Sequence, residues 1–224
     1  MRGLFITFEG PDGAGKTTQL GLLADALAAE GYDVVRTREP GGTRISDHIR
    51  AILLDPAHTE MADAAEVLLY AASRAQHVHE RILPALAEGK IVLCDRFIDA
   101  SMAYQAYGLG IAPETVRAIN AFAAAGLKPD RTYMLDLSAE AGLERLRRRA
   151  QGGRAQGLDR IELKRTDYHR RVREAFLRIA REEPERVLVV DGEDTPERIH
   201  ARIRDDCNRL LELRDIPRTR REQA

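Results

Sequence analysis

Eight residues near the start of the chain, Gly10-Pro11-Asp12-Gly13-Ala14-Gly15-Lys16-Thr17, satisfy the spacing GxxxxGK[ST], and Thr18 follows directly. Those residue types in that order suit the holding of a polyphosphate. Phosphate oxygens need several donors within hydrogen-bond reach, and glycines let the backbone curl so that successive N–H groups point inward. An apolar run precedes the motif and an amphipathic stretch follows it, so a helix N-terminus would add its dipole. Lys16 would then place a point charge on the phosphoryl group in transfer, and the Thr17 hydroxyl would bind Mg2+. A chance glycine-rich turn would carry the letters without this strand, loop and helix in register.

Asp95 ends a second apolar run, Ile91-Val92-Leu93-Cys94, at the end of a strand where open α/β sheets bind ligands, and Arg96 is next to it. An acid beside a base suits a metal and phosphate pocket, with Asp95 holding Mg2+ directly or through water; a capping or turn aspartate is the competing reading. No guanine-reading NKxD segment occurs, and the chain is short for a motor or helicase. Small-molecule phosphoryl transfer is therefore favoured, and it requires an acceptor pocket beside the cradle.

Three segments are candidates for that pocket. Thr37-Arg38-Glu39-Pro40-Gly41-Gly42-Thr43 forms a tight loop from which Arg38 can grip an acceptor phosphate, or is a plain turn with a solvated arginine. Tyr70 and Arg74, spaced i,i+4, put a ring and a guanidinium on one helix face, able to stack on a base and read its edge; a core tyrosine with a surface arginine is equally compatible. Ser101, Tyr104 and Gln105 share a face if Ile98 to Tyr107 is helical, which suggests polar recognition or an ordinary solvated face.

Arg145 to Arg173 holds eleven bases against three acids, and Gly152, Gly153 and Gly157 interrupt its helical pattern. We expect a mobile basic loop, a lid over about residues 145–165 that carries Arg149, Arg154 and Arg160 to the charge developing on the phosphoryl oxygens. A solvated charged face or a nucleic-acid patch competes, although Tyr168 is the segment's single aromatic for base stacking.

These residues need a scaffold that brings strand ends together. Five short apolar runs recur, Leu4 to Glu9, Asp33 to Thr37, Ile91 to Asp95, Thr132 to Leu137 and Val187 to Asp191, with helical spacing between them. Near-continuous apolar strands alternating with helices predict an α/β fold: a three-layer P-loop NTPase architecture with a five-stranded parallel sheet flanked by helices. Asp63 to Glu88 is expected to be one long helix kinked near Pro84. A single domain over residues 1–213 and a frayed tail over 214–224 follow from the chain's 224 residues and the fading periodicity after Leu213.

Lys and Arg total 35 against 36 Asp and Glu, and four lysines leave 31 arginines, so no chain-wide field recruits nucleic acid or anionic lipid. Cys94 and Cys207 have no metal-binding or disulfide-framework spacing, and His77 with His79 would point to different helix faces. No apolar run is long enough to span a bilayer and no cleavage signature follows Met1-Arg2, so a cytoplasmic protein with no membrane partner is expected.

From Phe5 to about Leu213 the chain resembles bacterial thymidylate kinase. The resemblance rests on Glu9 to Thr18, Thr37 to Thr43, the Tyr70 and Arg74 pair, Asp95-Arg96-Phe97, Ala103-Tyr104-Gln105 and Leu158-Asp159-Arg160-Ile161-Glu162. It implies transfer of the γ-phosphoryl group of ATP, with Mg2+, to dTMP by a homodimeric enzyme. It also implies that Gly10 to Thr18 bind ATP, Asp12 approaches the acceptor sugar hydroxyl, and Arg38 and Arg96 hold the acceptor phosphate. Tyr70 would stack on thymine, Arg74 would read its edge, and Ser101, Tyr104 and Gln105 would line the same pocket. With Gly13 after Asp12 and no arginine in the phosphate loop, the chain is similar to the type whose catalytic arginine lies in the lid. It departs in having Tyr70 where phenylalanine is common, leaving a hydroxyl that needs a partner, and in an extra lid stretch at Ala150 to Gln156. Another small P-loop kinase and an ATP-dependent nucleic-acid-binding module are the alternative functions.

Overall fold

Leu4–Glu9 (β1) is buried at all six positions, as a central parallel strand covered on both faces must be. It pairs in parallel with β3 (Ile91–Asp95) on one side and β4 (Arg131–Asp136) on the other. The half-exposed β2 (Val34–Arg38) and β5 (Val187–Asp191) form the edges, giving the order β2-β3-β1-β4-β5. The computed structural model describes residues 3–151, 157–214, 216 and 218.

Helices cover both faces. On one side α1 (Lys16–Ala29) packs with α9 (Pro196–Arg214) through Leu20, Leu23, Leu27, Ile203 and Cys207 over Leu4, Ile6 and Phe8. Between β2 and β3 the chain forms α2 (Arg44–Leu54), α3 (Asp63–His77), a π-helical turn at Val78–Ile82 and α4 (Leu83–Ala87). The long helix is thus continuous but widened just before Pro84, which lacks an N–H and would crowd the carbonyl of residue 80 in α geometry.

After β3 come α5 (Ile98–Ser101), a second π-helical turn at Met102–Gly108 and α6 (Pro113–Ala123). Then α7 (Ala139–Gln151) follows β4, and α8 (Thr166–Glu182) precedes β5. The second layer buries Val172, Phe176 and Ile179 of α8 with Tyr104 and Met134, while Val78, Ile82, Leu86 and Phe97 cover Phe5 and Val92.

Arg214 ends α9 and pairs with Asp130 at 2.9 Å, and Ile216 is buried in the first core layer, against which Tyr32 packs.

Candidate active site

The C-terminal ends of β1 and β3 lie side by side, with Phe8 in register with Asp95, so the loops after both strands converge. Gly10 to Gly15 curl from β1 into α1, and Gly13 has φ 79 with an added Cβ only 2.6 Å from the carbonyl oxygen of Gly142. A glycine is required there. Lys16 Nζ donates to the carbonyls of Gly10 at 3.0 Å and Pro11 at 2.7 Å, folded back over the loop. Burial and then the Arg96 charge press its ammonium down to about 8, against the pull of Asp12, Asp95 and Glu9. Thr17 and Thr18 open the helix on its exposed side, and the Thr17 hydroxyl donates to Asp95 Oδ2 at 2.5 Å.

Arg96 adopts φ 72, a left-handed conformation costly for a residue with a side chain. Two bonds hold it there: the Arg96 N–H donates to Phe8 O at 3.0 Å, and the Phe97 N–H donates to Glu9 Oε1 at 2.7 Å. Burial, and then Asp99, raise the pKa of Glu9 well above the carboxylate range. The strained turn aims the Arg96 guanidinium at Asp12, at Gly10 O and at the Tyr104 hydroxyl 3.0 Å away, with the ring centroid of Tyr104 at 4.8 Å. Tyr104 in turn donates to Asp12 Oδ2 at 2.7 Å. Burial would raise the Asp12 carboxyl, but Arg96, Lys16 and the Tyr104 hydroxyl outweigh it and hold it at about 2. Asp12 is therefore an ionised acceptor at neutral pH.

Beyond Tyr104, α3 and the second π turn bring a group of buried polar side chains together. Arg74 is 2% exposed, not a surface arginine. Nε donates to Glu39 Oε2 at 2.8 Å, Nη1 to Ser101 Oγ at 3.1 Å and Asn120 Oδ1 at 2.6 Å, and Nη2 to Phe97 O at 2.9 Å. One of its five donors stays uncommitted. Glu39 also meets His77 Nδ1 at 3.0 Å, and His77 Nε2 lies 2.6 Å from the Thr37 hydroxyl, so the loop after β2 is tied to α3. Ser101, Tyr104 and Gln105 are buried, bonded to Arg74, Asp12 and Glu66 respectively rather than to solvent.

Tyr70 is half-buried one turn before Arg74; its phenol is pushed up by burial and by the charges of Glu66 and Asp159, with Arg96 and Arg160 opposing. No described residue bonds its hydroxyl, which needs a partner from elsewhere. Arg38 is exposed and pairs with Asp47 at 2.9 Å. Arg50 donates to Pro40 O at 2.9 Å and is driven down by burial and by the Arg38 charge, with Arg96 adding to the repulsion. Arg38 and Arg96 both push Arg50 down, so three like charges lie near one another.

The basic segment behaves differently at each position. Arg145 reaches from α7 to Gly192 O at 3.1 Å and Gly13 O at 3.4 Å, beside the phosphate loop. Arg149 pairs with Glu162 at 2.6 Å. Arg160 is half-buried, donating to Leu53 O at 2.8 Å and Glu66 Oε2 at 2.7 Å. Arg154 lies outside the described residues.

Sequence reasoning missed Arg50, Glu39, Glu66, His77 and Asn120. Glu66 carried a signal, standing one helical turn before Tyr70, and Glu39 stood within the loop already singled out; Asn120 carried none, because α6 meets Arg74 only through the fold. Thr17 and Asp95 offer a hydroxyl and a carboxylate beside the cradle, a donor set that fits Mg2+ completing its shell with phosphate oxygens and water. Among the described residues no cluster of three His, Cys, Asp or Glu could hold a metal by itself.

The thymidylate kinase sequence family matches residues 8–203. A thymidylate kinase of Exiguobacterium sibiricum is 54% identical over 215 residues, covering 96% of this chain and 99% of the relative. One of Pelobacter propionicus is 52% identical over 201 residues, covering 90% and 92%. The crystal structure of thymidylate kinase from Ehrlichia chaffeensis superimposes with a TM-score of 0.73 at 32% identity, over 92% of this chain and 99% of that one. A family match over residues 8–203 and relatives more than half identical over nine-tenths or more of the chain show that the chain belongs to the thymidylate kinase family.

Proposed function

We propose that this chain transfers the γ-phosphoryl group of ATP to the phosphate of dTMP, giving dTDP and ADP, with the residues as follows. The observation that carries this reading is the carboxylate of Asp12 on the phosphate loop, held ionised by Arg96 after β3 and by Tyr104 of the turn that also carries Gln105. Gly10 to Thr18 cradle the donor phosphates, and Lys16 leaves its carbonyl partners to meet the transferring group. Arg38, Arg50 and Arg96 hold the acceptor phosphate in line with it. Asp12 accepts from the acceptor sugar hydroxyl, Tyr70 stacks on the base, and Arg74, Ser101, Tyr104 and Gln105 line its edge. Thr17 and Asp95 would hold Mg2+, which when bound neutralises charge on the donor phosphates. Arg149, Arg154 and Arg160 supply positive charge from the lid.

We further propose a homodimer acting in the cytoplasm. Ile45 and Ile52 of α2, Leu68 of α3 and Phe122 of α6 are exposed, Phe122 to 89%, on three helices that pack in sequence. Cys94 and Cys207 are free and buried, and no described helix is long and apolar enough to cross a membrane. Light scattering reads the mass directly, and a 25.0 kDa particle at micromolar concentration overturns the dimer.

A panel of nucleoside monophosphates with ATP and Mg2+ tests the substrate. We expect dTMP to exceed dCMP, dGMP and UMP in kcat/KM; equal or better turnover of any of those three refutes the thymidylate assignment.

A further inference from the structure

Glu66 is 1% exposed on α3, one turn before Tyr70 and two turns before Arg74, on the buried side of that helix. Its Oε2 pairs with Arg160, a donor-only group, and its Oε1 receives Gln105 Nε2 at 3.0 Å. An amide's oxygen and nitrogen are nearly the same size, so partners decide which end points where. A carboxylate at residue 66 can only accept. Gln105 must therefore turn its amine to Glu66 and its oxygen away, and that oxygen accepts no bond from any described residue.

We propose that Glu66 is a positioning residue for base selection: by holding the Gln105 amine it presents the Gln105 oxygen to the base, so that the pocket admits a pyrimidine carrying N3–H and a C4 carbonyl. The inference rests on the nucleobase pocket of the preceding section. Thymine offers N3–H to the Gln105 oxygen and its O4 to the one uncommitted N–H of Arg74. Cytosine offers an N3 acceptor and an N4 amine, and meets acceptor against acceptor and donor against donor. A buried site made to pair with particular groups rejects the molecule that leaves them unpaired.

Glu66→Gln reverses the logic without leaving a buried group unsatisfied. Arg160 can only donate, so the new amide turns its oxygen to Arg160 and its amine to Gln105. Gln105 then flips and offers its own amine to the base. We expect the ratio of kcat/KM for dTMP to that for dCMP to fall by about 10- to 100-fold, with dUMP, which has the same edge as dTMP, following dTMP. Loss of a merely structural contact would depress all three substrates alike. An unchanged dTMP to dCMP ratio in the folded variant, judged by its thermal midpoint, overturns the proposal. If Glu66→Gln does not fold, Glu66→Met, which releases the amide without reversing it, is read instead; a smaller drop in the ratio supports the proposal and an unchanged ratio overturns it. Arg160→Met separates the lid, since it should lower turnover and keep the ratio. A wild-type protein indifferent between dTMP and dCMP would instead sink the underlying pocket.

Discussion

Replacing Tyr104 by Phe removes one oxygen from the centre of the site and little else. The hydroxyl donates to Asp12 Oδ2 at 2.7 Å and accepts from Arg96 at 3.0 Å, whereas the ring, with the guanidinium 4.8 Å from its centroid and Phe176 at 6.0 Å, keeps its packing. Hydrogen bonds to charged groups contribute about 1.5–3 kcal/mol, and Tyr104 is too buried for water to replace the lost partner fully. We therefore expect kcat/KM for dTMP to fall about 10- to 100-fold, through an Asp12 carboxylate no longer fixed toward the acceptor sugar. The pH dependence supplies a second readout. Asp12 is held at about 2, below its unfolded value, so its contribution to stability is present above the unfolded pKa and is lost as pH falls through about 2. That contribution is on the order of 2 kcal/mol. Losing the hydroxyl raises the carboxyl toward its ordinary range, so the acid limb of kcat/KM and the acid unfolding midpoint should both move to higher pH. Steady-state kinetics carried down to the lowest pH at which the fold persists, and acid titration below pH 4 followed by circular dichroism, measure them. An unchanged kcat/KM together with an unmoved acid limb would refute the role given to the Asp12, Arg96 and Tyr104 cluster.

Lys16→Met should lower turnover about 10²- to 10³-fold while leaving the fold intact. Because the Lys16 ammonium is depressed to about 8 from the usual lysine range, its burial penalty is full below that pH and fades above it; wild type should gain stability relative to the variant as pH rises through about 8, and ATP binding near that pH should take up a proton, read by calorimetry in buffers of different ionisation enthalpy. No uptake means the ammonium is not the group that meets the phosphate. Asp95→Asn keeps an acceptor for the Thr17 hydroxyl but weakens a carboxylate ligand, so the Mg2+ concentration for half-maximal rate should rise while saturating turnover falls less; a rate curve superimposable on wild type removes Asp95 from the metal site.

The difference between the legible and the hidden parts of the site is clearest at Arg74. Its spacing from Tyr70 placed ring and guanidinium on one helix face, but left open whether the arginine was solvated. Only packing α3 against α6 and the loops after β2 and β3 surrounds it with Glu39, Asn120, Ser101 and Phe97. Arg160 shows the same limit. Its place in a basic segment suggested a free lid arginine, yet the fold ties it to Glu66, 94 residues earlier, and to a carbonyl of α2.

Chain geometry alone determined the strands, the crossover helices and the phosphate loop, because pleat, helical turn and glycine-permitted curl are properties of a few neighbouring residues. Three of the five expected strands, Leu4–Glu9, Ile91–Asp95 and Val187–Asp191, agree at both ends with the structure. The tertiary structure decided which polar groups face each other. The order β2-β3-β1 brings Arg96 to Asp12 and Glu9 to the Phe97 amide across more than 80 residues, and the strain at Arg96 exists only because those distant partners hold it. Such pairings have no local period. They arise when burial leaves each donor and acceptor no water to bond and one neighbour within reach.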